Sequence, residues 1–243
     1  MSFVGRCSKS GATLKGSLGR LAEDGFTQEP RQLADITERE TIIMPQRRFR
    51  LMFNLRSPGL WLFVGGLEML FLIHLAEFLY PGYSVSQDFI SELGVGPTAS
   101  RVVFTIALVV FGLMALAASY LLWQRDEKSK LWLLLAISAI GSIGVGIFDM
   151  DNFMELHGLF ALLAFLFGNL AAVYSWKAVR PPVSYLFVLL GLIGLSALVL
   201  LIGSTYLGLG QGGMERMVFY PAMFWALTFG VSLMAEESAP SRI

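Results

Sequence analysis

Charge, histidine and cysteine are all scarce in this chain. Only 15% of its 243 residues are charged, against about 25% in a typical soluble domain. The eighteen basic residues are balanced by eighteen acidic ones, so the chain lacks the basic excess that marks a nucleic-acid-binding protein. The single cysteine, Cys7, excludes an internal disulfide and a multi-cysteine metal site. The two histidines, His74 and His157, cannot build a three-histidine zinc centre.

What the chain has is apolar length, with 55% hydrophobic residues. Ten of the eighteen Lys and Arg lie before residue 57, so the remainder is apolar in long stretches. Six runs approach the ~20 residues that a helix needs to cross ~30 Å of hydrocarbon. They are Leu60–Leu79, Val102–Trp123, Leu131–Phe148, Leu156–Trp176, Val183–Leu207 and Met217–Ala235. The expected fold class is all-α, a polytopic integral membrane protein with a six-helix transmembrane bundle over residues 58–235. A tail of residues 236–243 follows it.

Residues 1–57 are rich in Gly, Ser, Arg and Glu and show no sustained apolar period, which predicts a mostly disordered cytoplasmic tail. No apolar core of about 7–15 residues near its start marks a secretory signal. Three readings of this tail stand side by side. Its first twenty residues lack acids and hold Arg6, Lys9, Lys15 and Arg20, as a transit peptide would. Translation starting at Met44 or Met52 is the second reading, and an ordinary cytoplasmic tail is the third.

Basic residues near span ends stay on the cytoplasmic side. Arg47, Arg48, Arg50 and Arg56 precede the first run, Arg125, Lys128 and Lys130 fill the second connection, Lys177 and Arg180 the fourth, and Arg242 the tail. The other connections hold only Arg101 and Arg216, beside Asp88, Glu92, Asp149, Asp151, Glu155 and Glu215. Trp61, Trp123, Trp132 and Trp176 fall at the basic boundary. Both termini are therefore expected in the cytoplasm, with the acidic and imidazole groups at the opposite face.

Three connections at that face carry the candidate chemistry. In the first, Ser84 and Gln87 have capping-box spacing and Gly94 is a natural helix stop. A two-turn helix between them would turn Phe89, Ile90 and Leu93 inward and present Asp88, Ser91 and Glu92 to a polar cleft; otherwise these acids are solvated loop residues. In the third connection, Asp151 and Asn152 are placed to cap the fourth helix. His157, one turn on, heads a line of small residues (Ala161, Ala164, Gly168 and Ala172) that lets another helix approach. It should face the bundle interior, for a structural hydrogen bond or for function. The last connection holds four glycines between Gly208 and Gly213, then Glu215 and Arg216. Arg216 could pair with Asp88, Glu92, Asp149 or Asp151, or hold a phosphate head group. His74 and Glu77, near the end of the first span, are placed to join this cluster, whereas Glu68 lies deeper.

These connections resemble those of a six-span prokaryotic membrane family catalogued as domain of unknown function 998. The matching residues are Tyr83-Ser84 with Ile90-Ser-Glu-Leu-Gly94 and Pro97, then Asp151 with His157-Gly158, then Gly213-Met-Glu-Arg216 with Trp225. More distantly the chain is similar to the eukaryotic DRAM-like six-span family, in which an Ile-Ser motif follows the first helix and a His opens the fourth. The resemblance implies the fold, the orientation and a link with lipid handling, and it supplies no activity.

Three functions are expected in order. The first is a membrane protein whose polar face binds a membrane lipid head group or a partner membrane protein, through Ser91, Glu215 and Arg216. The second is a membrane-embedded lipid hydrolase or transferase. There Asp88, Glu92, Asp151 and His157 would serve as acid–base groups, or Asp151 and His157 as ligands of a divalent metal. The third is a transporter, for which Glu68 is the mid-span charge.

Overall fold

The computed structural model describes residues 54–238; the tail expectations for residues 1–53 and 239–243 fall outside them. Among the described residues there are six α-helices and no strand. In chain order they are α1 (Pro58–Phe78), α2 (Thr98–Arg125), α3 (Leu131–Ile147), α4 (Met150–Tyr174), α5 (Val183–Ile202) and α6 (Gly210–Glu237). Two 3-10 turns, Ile90–Gly94 and Ser175–Lys177, punctuate the connections. The helix starts have local causes. Ser57 accepts the Leu60 amide and Pro58 opens α1, where its missing N–H costs nothing. Asp149 accepts the Asn152 amide to open α4.

Each helix packs antiparallel against the next, and α6 returns to α1, closing a ring. Small residues set the close approaches. A Cβ on Gly59 would stand 2.4 Å from the Gly230 carbonyl, and one on Gly141 would stand 2.4 Å from the Ala164 amide. Because α4 also touches α6, α5 lies outside them. There α5 docks through Gly194, whose absent Cβ leaves room for the buried Asn169 side chain.

Large apolar side chains cover the outside of the ring, among them Phe71, Leu113, Ile140, Leu159, Leu189 and Val231. A protein in water would not expose so much contiguous apolar surface, whereas hydrocarbon solvates it. The protein is an all-helical, multi-pass membrane bundle. Helices α1, α2, α4, α5 and α6 are long and apolar enough to cross a bilayer. With 17 residues, α3 extends about 25 Å, somewhat short of the ~30 Å hydrocarbon core.

The alternation of helices gives the bundle two chemically distinct ends. One gathers Arg125, paired with Glu237, and Lys130, whose amide donates to the Tyr174 hydroxyl. The other carries the 79–97 connection, the α3–α4 junction and the start of α6. We call these the basic and acidic ends.

Candidate functional site

At the acidic end the start of α6 clasps the connection after α1. Sequence places Gly208–Arg216 in a loop, but α6 begins at Gly210, so Glu215 and Arg216 lie within the helix. Glycine runs disfavour helix, yet here they let two backbones touch. The first amides of a helix have no partner within it, and the Gly212 and Gly213 amides both donate to the Ser86 carbonyl, at 3.0 and 3.2 Å. A Cβ on Gly212 would stand 2.0 Å from the Asp88 carbonyl oxygen, so only glycine fits beneath the crossing strand. Gly210, at φ +76°, also takes the left-handed conformation that glycine tolerates.

Residues 215 and 216 complete the clasp from adjacent positions. The Glu215 carboxylate accepts the Ile90 amide on one oxygen and the Ser91 hydroxyl, at 3.1 Å, on the other. Arg216 donates to Glu77, to the Tyr83 hydroxyl at 2.8 Å, and to the Gly212 carbonyl at 3.0 Å. Tyr83 in turn donates to the Phe89 carbonyl at 2.9 Å, and Arg216 lies over its ring. Burial raises the pKa of the Tyr83 hydroxyl above the ordinary tyrosine range, although Arg216 pulls it the other way. Glu215 and Arg216 are 4% and 5% exposed, so both side chains sit inside the joint they form.

Several expectations are corrected by this geometry. The acid that meets Arg216 is Glu77, on α1, and not Asp88, Glu92, Asp149 or Asp151. The segment after Ser84 is not a two-turn helix. It makes a turn in which Asp88 accepts the Ser84 amide at 2.7 Å, then the 3-10 turn Ile90–Gly94. That tighter winding separates Ser91 from Asp88 and Glu92: Ser91 is buried against Glu215, whereas Glu92 accepts its own turn's Phe89 amide at 3.3 Å. His74 stays exposed and reaches the Tyr220 hydroxyl at 3.3 Å.

At the α3–α4 junction the cap is Asp149, not Asp151 or Asn152. Its carboxylate accepts both the backbone amide and the side-chain amide of Asn152, and these bonds hold its pKa below the ordinary aspartate range. Asp151 is exposed. His157 faces the interior as expected, 4% exposed, with Nδ1 2.7 Å from the Phe148 carbonyl oxygen and Nε2 buried without a partner. Among the described residues no three His, Cys, Asp or Glu side chains gather as a metal site. Glu68, midway along α1, has both carboxylate oxygens buried and unpartnered.

Below the clasp lies a feature the sequence did not reveal. A cavity of about 70 Å³ runs between α1, α2, α3, α4 and α6. Its wall extends from Glu215 to Ala226 along α6 and from Leu135 to Val145 along α3, an axial length of about 15 Å. Leu62, Phe111, Phe165, Phe219 and Met223 make the wall apolar, while Glu215 and Ser91 close its acidic end. The line Ala161, Ala164 and Gly168, noticed in the sequence as a helix-contact stripe, supplies part of the lining. Interiors pack with few voids larger than a water molecule, and this one exceeds that size.

The profile of a family described as "Protein of unknown function (DUF998)" matches residues 63–232. No curated protein matches the chain, and no solved structure does.

Proposed function

The chain belongs to the DUF998 family, whose function is unknown, and from its geometry we propose that it is a non-catalytic membrane protein that binds a membrane lipid, the end of one chain entering the cavity in its bundle. The observation that carries this reading is the apolar slot between five helices, closed at one end by Glu215 and Ser91. The clasp built by Glu77, Tyr83, Glu215 and Arg216 holds the 83–91 segment over that end. Head-group recognition moves accordingly from Arg216, whose terminal nitrogens are engaged within the protein, to the cavity mouth.

In this reading the chain crosses the membrane six times, with α3 as the short crossing, and the basic end is cytoplasmic. Six crossings are supported by the antiparallel path, which brings Arg125 at the end of α2 to Glu237 at the end of α6. The orientation rests on the basic connections. In a Cys7→Ser background, an impermeant thiol reagent outside intact cells should modify Asp151→Cys and spare Lys128→Cys. The reverse pattern turns the molecule over.

The catalytic alternative needs acid–base groups on one substrate. Asp88 and Glu92 are engaged by amides of their own loop, and Asp151 is exposed while His157 is buried. A transporter would use Glu68, whose unpartnered carboxylate is the observation in its favour.

Mass spectrometry of the purified full chain tests the lipid reading. The wild type is expected to retain a lipid in defined stoichiometry. Ala161→Val, which fills part of the slot from one wall, should lose it while keeping thermal stability. A lipid-free wild type, or equal retention in the filled variant, overturns the reading.

A further inference from the structure

At the basic end of the bundle an open pocket of about 290 Å³ lies between the α2–α3 connection and the end of α4. Asp126, Lys128, Ser129 and Leu131 line one side of it, and Tyr174 and Lys177 the other. Local bonds fix both sides. The Lys130 amide donates to the Tyr174 hydroxyl oxygen at 3.3 Å, which ties the connection to α4. The Leu131 amide donates to the Ser129 hydroxyl oxygen at 3.3 Å as α3 begins. Lys177 Nζ stands 4.7 Å from the centre of the Tyr174 ring, a cation–π contact that holds the ammonium at the pocket.

These bonds leave the wall rich in donors. Both hydroxyls accept, and among the described residues neither gives its own proton to a partner, so each still has an O–H to donate. The ion pairs among the described residues are Arg125–Glu237 and Arg216–Glu77, so neither Lys128 nor Lys177 meets a carboxylate there. Asp126 is the acid of the wall, and its Oδ1 already accepts the Lys128 amide at 3.2 Å. Two ammonium groups therefore outweigh one carboxylate, with two hydroxyl donors beside them. The start of α3 adds the positive end of a helix dipole. A phosphate group, anionic and with several acceptor oxygens, complements this set.

Aromatic residues set the depth of the pocket. Trp132, in the first turn of α3, donates its indole N–H to the Glu127 carbonyl at 3.2 Å, and Trp176, in the turn after α4, is 52% exposed. Indoles gather at the level of lipid head groups, so the pocket opens where lipid phosphates lie. Basic pockets between helices on the cytoplasmic side of a membrane suit anionic heads. We infer that this pocket is a phosphate site filled by the head of an anionic phospholipid, with Lys128 and Lys177 supplying charge and Ser129 and Tyr174 supplying hydrogen bonds. It shares no residue with the slot at the acidic end.

Thermal unfolding of the full chain in nonionic detergent micelles tests this. Added phosphatidylglycerol should raise Tm by several degrees, whereas phosphatidylcholine, whose head is zwitterionic, should shift it little. Lys128→Gln with Lys177→Gln should lose the shift. Lys130→Gln with Arg180→Gln removes the same charge from the same end, outside the pocket, and should keep it. All four side chains are exposed, so both double variants should match the wild-type Tm without added lipid. Equal loss of the shift in the two double variants would reduce the effect to diffuse surface charge and overturn the site. Equal shifts from the two lipids, or none from either, would also overturn it. A shift from inorganic phosphate as large as that from phosphatidylglycerol would keep the phosphate site and overturn its lipid occupant. Ala161→Val should leave the phosphatidylglycerol shift intact; its loss there would place the lipid in the slot and overturn the pocket.

Discussion

Arg216 is the residue whose environment most constrains the acidic end. The residue is 5% exposed, paired with Glu77 and hydrogen-bonded to Tyr83, so removing either charge strands the other in a dry setting. Breaking a buried pair from one side costs about 3–5 kcal/mol. Arg216→Ala and Glu77→Gln should each lower thermal stability strongly, and Arg216→Met with Glu77→Leu should lose less than the sum. Additive losses in that cycle would mean the two side chains do not act as a pair. The sequence offered Arg216 an acid or a phosphate group; it named Asp88, Glu92, Asp149 and Asp151 as partners and placed Glu77, the acid it meets, only as a member of the cluster. Glu77 sits on an apolar helix, and whether it meets Arg216 depends on the rotation of α1 against α6, which no local pattern encodes. His157 was legible because small residues at one-turn spacing mark an interior face; the cap at Asp149 was missed because Asp151 and Asn152 offer the same chemistry two and three residues later.

At the scale of elements, the long apolar runs foretold six helices, and the polar connections foretold where the charged groups lie but not how they pair. The start of α6 was misplaced by seven residues because a glycine-rich run signals a loop when helix propensity alone is weighed. Here tertiary contact overrides propensity: Ser86 satisfies the open amides of Gly212 and Gly213, and the crossing strand occupies the space of two side chains. Gly212→Ala should therefore displace the 83–91 segment and sharply raise amide hydrogen exchange at Ile90 and Ser91. Gly158→Ala, where an added Cβ meets nothing within 4 Å, should leave that exchange unchanged. Unchanged protection in Gly212→Ala would show that the segment is not held by this contact. The 3-10 winding of Ile90–Gly94 was likewise hidden, since five residues carry too little periodicity to tell it from an α-turn.

Across the whole molecule, a ring of helices with apolar side chains on its outer surface leaves a slot at its centre, and a clasp of two adjacent charged residues seals one end. The bundle and its two chemically different ends could be read from hydropathy and charge. The slot could not, because it arises where side chains from five helices fail to meet, a property of the assembled packing. The clasp and the slot together make one account: a membrane protein that receives the end of a lipid chain in its bundle under an internally bonded cover. An experimental structure in nanodiscs of native lipid tests that account most directly. Elongated density from beneath Glu215 toward Trp225 is the predicted result; a closed slot, with Phe165 and Phe219 packed together across it, would contradict it.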